Sequence, residues 1–372
     1  MRLVSITDLR AGMVVAKSTY MQDGRLLLGE DVELSDRLIE KVKNSSLGSV
    51  YIKDDRVEDF VINENIPEPL KRQAANALEN SFRPMKTKKD NSQLVHLEMK
   101  PIENVLDELL DEVRGLDGLL ELIANTYHYD LYVFSHSVNV ALYSLMVGKE
   151  IKLTPKKLKR LGMSALLHDI GKMMAPVDIL NKPGALTDEE YETIKKHAQN
   201  GYDILSQQMV FSPDVLRGVA EHHERLDGSG YPKGLTEDEI HLFGKIIAIA
   251  DVYDAMTSHR VYRDPMLPQD VLEFLLAGAT KLFDPELVKA FNRSVAIYPK
   301  GVTVQLSTGE VGVVIENHYN FPLRPKVLVI ENASHVSLDQ PKVCDLVERE
   351  HLTTFIVGCE SMGMKSKESL AK

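Results

Sequence analysis

Between residues 136 and 251 the chain concentrates side chains of the kinds that bind metal ions: His136, the adjacent pair His168-Asp169, His197, the pair His222-His223, and Asp251. A lone histidine such as His136, in Phe134-Ser135-His136-Ser137-Val138, is more often a satisfied core or surface residue than a ligand, so only the set as a whole points to metal binding. His168-Asp169 closes the apolar run Ala165-Leu166-Leu167 and precedes Ile170-Gly171-Lys172. An imidazole and a carboxylate then project from one turn, and Gly171 is expected to allow a sharp exit from a helix. A carboxylate can bridge two cations while imidazoles complete each coordination sphere. Five histidines and two aspartates therefore suit two transition metals better than one tetrahedral zinc. Two metals about 3.5–4 Å apart are a recurring device for phosphoester hydrolysis, one activating water and both steadying the charge of an in-line displacement.

A second stretch runs His222-His223-Glu224-Arg225-Leu226-Asp227-Gly228-Ser229-Gly230-Tyr231-Pro232. Paired histidines lead into a loop loosened by Gly228 and Gly230 and stiffened by Pro232. Asp227-Gly228 alone would suggest no more than a turn, but glycines also let a backbone approach a ligand closely.

The elements that must position these residues are mainly helical. From about Pro101 to Ser294 the pattern is helical almost throughout, opening with Ile102, Leu106, Leu109, Val113, Leu116, Leu120 and Ile123 spaced by four and three. That stripe fits a core face, or a coiled-coil seam that would make a homodimer, although Gly115 and Gly118 weaken a long straight helix. Residues 1–65 mix short β-rich runs (Met13 to Ala16, Arg25 to Leu28, Ser49 to Ile52) with a helical stretch, Ser35 to Lys43, and Asp23-Gly24 is a hairpin signal. Residues 66–100, polar and holding Pro67, Pro69, Pro84 and the charged run Lys86 to Asp90, are expected to be a partly helical linker. Strand character returns at Thr303 to Leu306, Val311 to Ile315 and Lys326 to Ile330. The expected architecture is mainly α: a helical bundle over 101–298, preceded by a small α+β module (1–65) and followed by a β-rich extension (299–372).

Composition narrows the partners. With 44 Lys and Arg against 55 Asp and Glu, the net charge of -11 disfavours nonspecific attraction to a nucleic acid polymer, so a phosphate-bearing substrate needs a local positive site. Two cysteines, Cys344 and Cys359, are too few for a disulfide framework. No leader-like h-region or long uninterrupted apolar window is evident, which leads to the expectation of a cytoplasmic protein without a membrane span.

Taken together, His168-Asp169 with Gly171-Lys172, and His222-His223-Glu224 with Asp227-Gly228 and Gly230-Tyr231-Pro232, resemble the signatures of the HD-GYP family, a branch of the HD metal-dependent phosphohydrolases. Ala250-Asp251-Val252-Tyr253-Asp254-Ala255-Met256-Thr257-Ser258, followed by Arg260, Tyr262 and Arg263, is similar to the family's downstream signature. The resemblance covers roughly residues 105 to 300. It implies an HD-type helical bundle holding two, sometimes three, iron or manganese ions and hydrolysing cyclic di-GMP to pGpG and often onward to GMP. It further implies His136, His168, Asp169, His197, His222, His223 and Asp251 as metal ligands, with Asp169 bridging and Lys172 meeting the scissile phosphate or leaving oxygen. By the same resemblance Arg260 and Arg263 hold the dinucleotide and Tyr231 lines the pocket. Members with a third metal place a Glu one helical turn before the first histidine; here that position is Tyr132, a poor ligand at neutral pH, so two metals are expected. A binding effector with little turnover, and a phosphodiesterase of a related dinucleotide such as cyclic GMP-AMP, stay open as alternatives. No motif assigns a role to the flanking modules.

Under the leading reading, Arg260→Ala raises the Michaelis constant for cyclic di-GMP in a steady-state assay. An unchanged constant would mean that Arg260 belongs to a solvated face.

Overall fold

The computed structural model describes residues 1–21, 25–45, 47–57, 60, 65–86, 97–122, 129–180, 182, 184–258, 265–359 and 364–365, with only the backbone described at 84, 86, 129–132, 364 and 365. In the N-terminal module β1 (Arg2–Ser5) pairs antiparallel with β4 (Ser49–Ile52), and β2 (Thr19–Tyr20) with β3 (Leu26–Leu28). Helix α1 (Asp36–Lys43) starts where the Ser35 side chain accepts from the Leu38 N–H, and it buries Ile39 and Val42 against Val4, Val15, Leu28 and Val50. Met13 to Ala16, expected as a strand, forms only isolated bridges, Val14 to Glu33 and Val15 to Ile52. The β1 strand and β2, not singled out in the sequence, supply the pairing instead. Asp23-Gly24 lies outside the described residues.

Residues 66–100, expected as a partly helical linker, contain α2 (Glu68–Lys86), a helix docked on the main core. Leu70, Ala74, Leu78 and Phe82, spaced by four, form a stripe too narrow to stand out in a polar sequence, and Phe82 meets Phe134 at a ring separation of 5.8 Å. Next come α3 (Met99–Gly115), α4 (Tyr129–Glu150), α5 (Pro155–Leu167), a 3-10 segment (Ile170–Met174), α6 (Val177–Leu180), α7 (Asp188–Lys195) and α8 (His197–Ser206). The bundle closes with α9 (Pro213–Glu221), α10 (Leu242–Thr257), α11 (Pro268–Ala277) and α12 (Pro285–Ser294). Local chemistry marks several starts: Thr154 caps α5 ahead of Pro155, Thr187 and Glu190 form a capping box on α7, and Asp284 caps α12 ahead of Pro285. The stripe on α3 is core: Ile102, Leu106, Leu109 and Val113 are buried, and the helix ends at Gly115. At the centre α4 packs on α2, α5, α10 and α12, which is why it is apolar nearly all round.

The C-terminal part is an antiparallel sheet in the order β10-β9-β5-β6-β7-β8, formed by β5 (Thr303–Leu306), β6 (Val311–Glu316), β7 (Lys326–Glu331), β8 (Ser337–Asp345), β9 (Ile356–Cys359) and β10 (Met364–Lys365). Its Val304, Leu306, Val314, Val327 and Val329 continue the helical core. The N-terminus is stitched to it: the Leu3 N–H donates to the Gly301 carbonyl (2.8 Å) and the Thr303 hydroxyl to the Leu3 carbonyl (2.9 Å). Among the described residues no helix is long and apolar enough to cross a membrane.

Gly171 was expected to allow a sharp helix exit, but its role is a close approach. A Cβ there would lie 2.0 Å from the His197 carbonyl oxygen and 2.6 Å from the Gly201 nitrogen, so the 3-10 segment rides on the backbone of α8. Gly171→Ala should therefore destabilise the fold by at least about 1–3 kcal/mol. Gly115→Ala, whose added methyl meets nothing within 4 Å, should stay within about 1 kcal/mol of the parent. Urea unfolding of both variants checks the contrast.

Candidate metal centre

Three of the histidines share one local device. His168 follows the last residue of α5, His222 follows the last of α9, and His197 follows Lys196 at the end of α7. The final carbonyls of a helix have no partner within it. Each imidazole uses one of them: Nδ1 of His168 donates to the Ala165 carbonyl (2.8 Å), that of His197 to Ile194 (2.7 Å) and that of His222 to Val219 (2.6 Å). A carbonyl only accepts, so the proton is fixed on Nδ1 and Nε2 is turned inward. Three helix C-termini, each carrying partial negative charge, thus point at one place, a field that favours a cation.

His136, on α4, is held from the opposite side. Its Nδ1 lies 2.7 Å from Asp254 Oδ2 and its Nε2 3.0 Å from Asp251 Oδ1, and Asn139 steadies Asp254 by donating to Oδ1 (2.9 Å). Asp251 Oδ2 is 3.7 Å from His223 Nδ1. Asp169 completes the cluster, with Oδ2 2.6 Å from the Lys172 ammonium and 3.3 Å from His168 Nε2, and Oδ1 3.4 Å from His197 Nε2. All seven residues singled out in the sequence as ligands come together, in overlapping groups: His197, His222 and His223; His136, His168 and Asp251; His168, Asp169 and His222.

The electrostatics divide the cluster. Burial pushes His197 down to about 4 and holds His222 and His223 well below the ordinary imidazole value. These rings are neutral at pH 7. Burial also works against a charged His136, but its hydrogen bonds to Asp251 and Asp254 outweigh that and raise it to about 9. Burial alone would raise Asp169, yet the field of His168 and the Lys172 ammonium hold its carboxyl well below the usual range. Asp251 likewise is depressed despite burial, chiefly by the hydrogen bond from His136.

Two observations test whether this donor set fits a metal. Nε2 of His197 and Nε2 of His222 face each other at 3.2 Å with both protons committed to Nδ1, an opposition of two lone pairs that a shared cation resolves. The buried atoms His168 Nε2 and Asp169 Oδ1 have no hydrogen-bond partner among the described residues, a cost that a coordinating ion removes.

The loop that begins at His222 packs its own residues over this centre. Tyr231 stacks on His223 at a ring separation of 4.6 Å, and Lys195 lies over both Tyr231 (5.7 Å) and Tyr191 (5.3 Å). Gly230 is required for a tight backbone contact: a Cβ there would fall 2.4 Å from the Arg225 nitrogen. Gly228, at φ +77°, makes the turn. The loop is fastened by Glu224, a buried carboxylate that accepts from the N–H of Lys233 (2.8 Å) and of Leu235 (2.9 Å). Glu224, Asp254, Asn139 and Lys195 were not picked out as site residues. The available signals were that Glu224 and Asp254 stand inside the quoted motifs and that Asp254 follows Asp251 by three on α10. Arg260, Tyr262 and Arg263 lie outside the described residues, as does the side chain of Tyr132.

Residues 119–287 match the family model of the HD domain, and residues 303–362 that of a KOW domain associated with the HD domain. The first of these segments is an HD domain. The chain is 39% identical over 259 residues to a cyclic di-GMP phosphodiesterase of Pseudomonas aeruginosa, covering 68% of this chain and 62% of that protein. To a cyclic di-GMP phosphodiesterase of Thermotoga maritima it is 37% identical over 209 residues, 54% of this chain and 56% of the relative. A 3'3'-cGAMP-specific phosphodiesterase of Vibrio cholerae is 43% identical over 145 residues, 39% of this chain and 33% of the relative. The chain thus spans less than two thirds of the length of these curated relatives. Among solved structures it is similar to an HDG"Y"P protein of Bdellovibrio bacteriovorus, at 17% identity and a TM-score of 0.47 over 78% of this chain and 97% of that one.

Glu224→Ala leaves two loop N–H groups without their acceptor and should cost about 1–3 kcal/mol. An unchanged urea midpoint would show that the loop is held by other contacts.

Proposed function

We propose that this chain hydrolyses cyclic di-GMP to pGpG, and onward to GMP, at a site holding two divalent transition metals. The observation that carries the reading is the opposed, proton-free Nε2 pair of His197 and His222 beside the unpartnered Asp169 Oδ1. In this reading His136, His168, Asp169, His197, His222, His223 and Asp251 would hold the ions, Asp169 being the carboxylate proposed to serve both. When bound, the metals supply an activated water and a sink for the charge that builds on the phosphate. Iron or manganese suits imidazole and carboxylate donors, and availability decides between them.

The remaining residues deal with the substrate. Lys172 is anchored on Asp169 and partly exposed, so its ammonium presents fixed positive charge at the edge of the cluster to an arriving phosphate. Tyr231, whose phenol burial keeps protonated, and Lys195 offer an aromatic face and a cation for a base and its phosphate. Arg260 and Arg263 add two guanidinium forks in this reading. Local positive charge of this kind is what a dianionic substrate requires on a chain of net charge -11. We assign the chemistry to residues 101–298, with 1–65 as a flanking module joined through the segment 66–100 and 299–372 as a second module that follows directly, and the reaction to the cytoplasm. The Vibrio cholerae relative supports a second substrate, cyclic GMP-AMP, and competition between the two dinucleotides ranks them.

The test is elemental analysis of anaerobically purified protein together with an assay of the same sample for pGpG and GMP. Two metals per chain with steady turnover are expected. Asp169→Ala should lose metal and activity together, whereas Lys172→Ala should keep its metal while turnover falls. Two metals with tight binding but no turnover would identify a receptor instead, and no metal under any loading would undo the site.

A further inference from the structure

A separate cavity of about 380 Å³ lies where the N-terminal module meets α2 and α4. Its size falls in the range of small-molecule sites. The floor is apolar and buried, from Leu3 and Val50 of the module, Ala75 of α2 and Val138 of α4. Two tyrosines form the walls, each faced by a cation: the Arg72 guanidinium stands 4.8 Å from the Tyr20 ring centre and the Lys17 ammonium 5.9 Å from that of Tyr51. Two acids also line the cavity. Glu68 is neutralised by Lys71 at 2.6 Å, and Glu30 is exposed. The lining therefore combines tyrosine rings, the Arg72 guanidinium and neighbouring lysines with amide groups, the chemistry that stacks a base and holds a phosphate. Its volume accommodates a mononucleotide.

The α4 side of this cavity is connected to the metal centre. Asn139 lines the cavity and donates to Asp254 Oδ1 (2.9 Å), while Asp254 Oδ2 holds His136 Nδ1 (2.7 Å). A ligand that engages the Asn139 amide changes how Asp254 is held and thereby how His136 is presented.

We propose that this cavity between the N-terminal module and the helical bundle is a binding site for a nucleoside monophosphate, linked to His136 through Asn139 and Asp254. The site is built from residues distinct from the seven of the metal cluster, and its occupancy does not depend on the catalytic reading above. Coupling is reciprocal, so whatever alters the grip on His136 alters the affinity for the nucleotide.

Titration calorimetry of the full chain in EDTA, with GMP as the probe, tests the site. Saturable one-site binding is expected, weakened at least tenfold by Arg72→Ala and by Tyr20→Ala, partly recovered in Arg72→Lys, and still present in Asp169→Ala. Absence of binding, binding indifferent to both cavity variants, or binding lost in Asp169→Ala would each overturn it. Inorganic phosphate binding as tightly as GMP would overturn the nucleotide assignment in favour of a plain anion site. Histidine-selective ¹⁵N NMR tests the link: GMP should move the His136 ring signals of the parent but not those of Asn139→Ala. A parent whose His136 signals stay fixed at saturation refutes the connection, and circular dichroism of each variant confirms that the fold is intact.

Discussion

The structure turns on the way three imidazoles are tied to the last carbonyls of three helices. The ends of α5, α7 and α9 leave acceptors that the helices cannot use, and His168, His197 and His222 take them through Nδ1. One bond per ring sets tautomer, orientation and the direction of the lone pair. Because each bond is to backbone, the geometry is as rigid as the helix behind it, and the helix ends contribute negative potential at the same point. The packing of α4, α5, α9 and α10 around a common core can be read as the means of bringing those ends together.

Close backbone contacts convert that packing into a fixed cluster. Gly171 lets the 3-10 segment carrying Asp169 and Lys172 touch α8, whose first residue is His197, and Gly230 lets the loop fold back on Glu224 and Arg225 so that Tyr231 covers His223. In both places the glycine is needed because no side-chain atom fits, not because the backbone takes an unusual φ. Glu224 does for the loop what the helix carbonyls do for the histidines, supplying acceptors to N–H groups that would otherwise be stranded. The carboxylates face the histidines from α10 and the 3-10 segment, so the charge needed to hold cations is assembled from elements far apart in sequence.

The two flanking modules share more with the bundle than their composition suggests. The β1 strand bonds to the turn that precedes β5, and the apolar side of the C-terminal sheet continues the helical core. The N-terminal module also leaves against α2 and α4 a cavity whose wall reaches Asn139, and so stands two hydrogen bonds from His136.

Residue type and order alone determined the seven-residue cluster, the helical bundle and the strand segments at Thr303, Val311 and Lys326. Metal-binding side chains are rare enough in apolar helices to be conspicuous, and the periods of helix and strand are written locally. The sequence did not reveal that α2 is core rather than linker, because a stripe of four apolar residues among polar ones and prolines reads as a solvated segment until its partner α4 is in place. Nor did it disclose the parts played by Asp254, Asn139 and Glu224. A buried carboxylate and a surface one are the same letter, and only the folded chain decides which N–H groups it faces. The reason for Gly171 and Gly230 was likewise tertiary: local sequence permits a turn, while the need for a missing Cβ arises from backbone that lies more than twenty residues away at Gly171 and a loop's breadth away at Gly230.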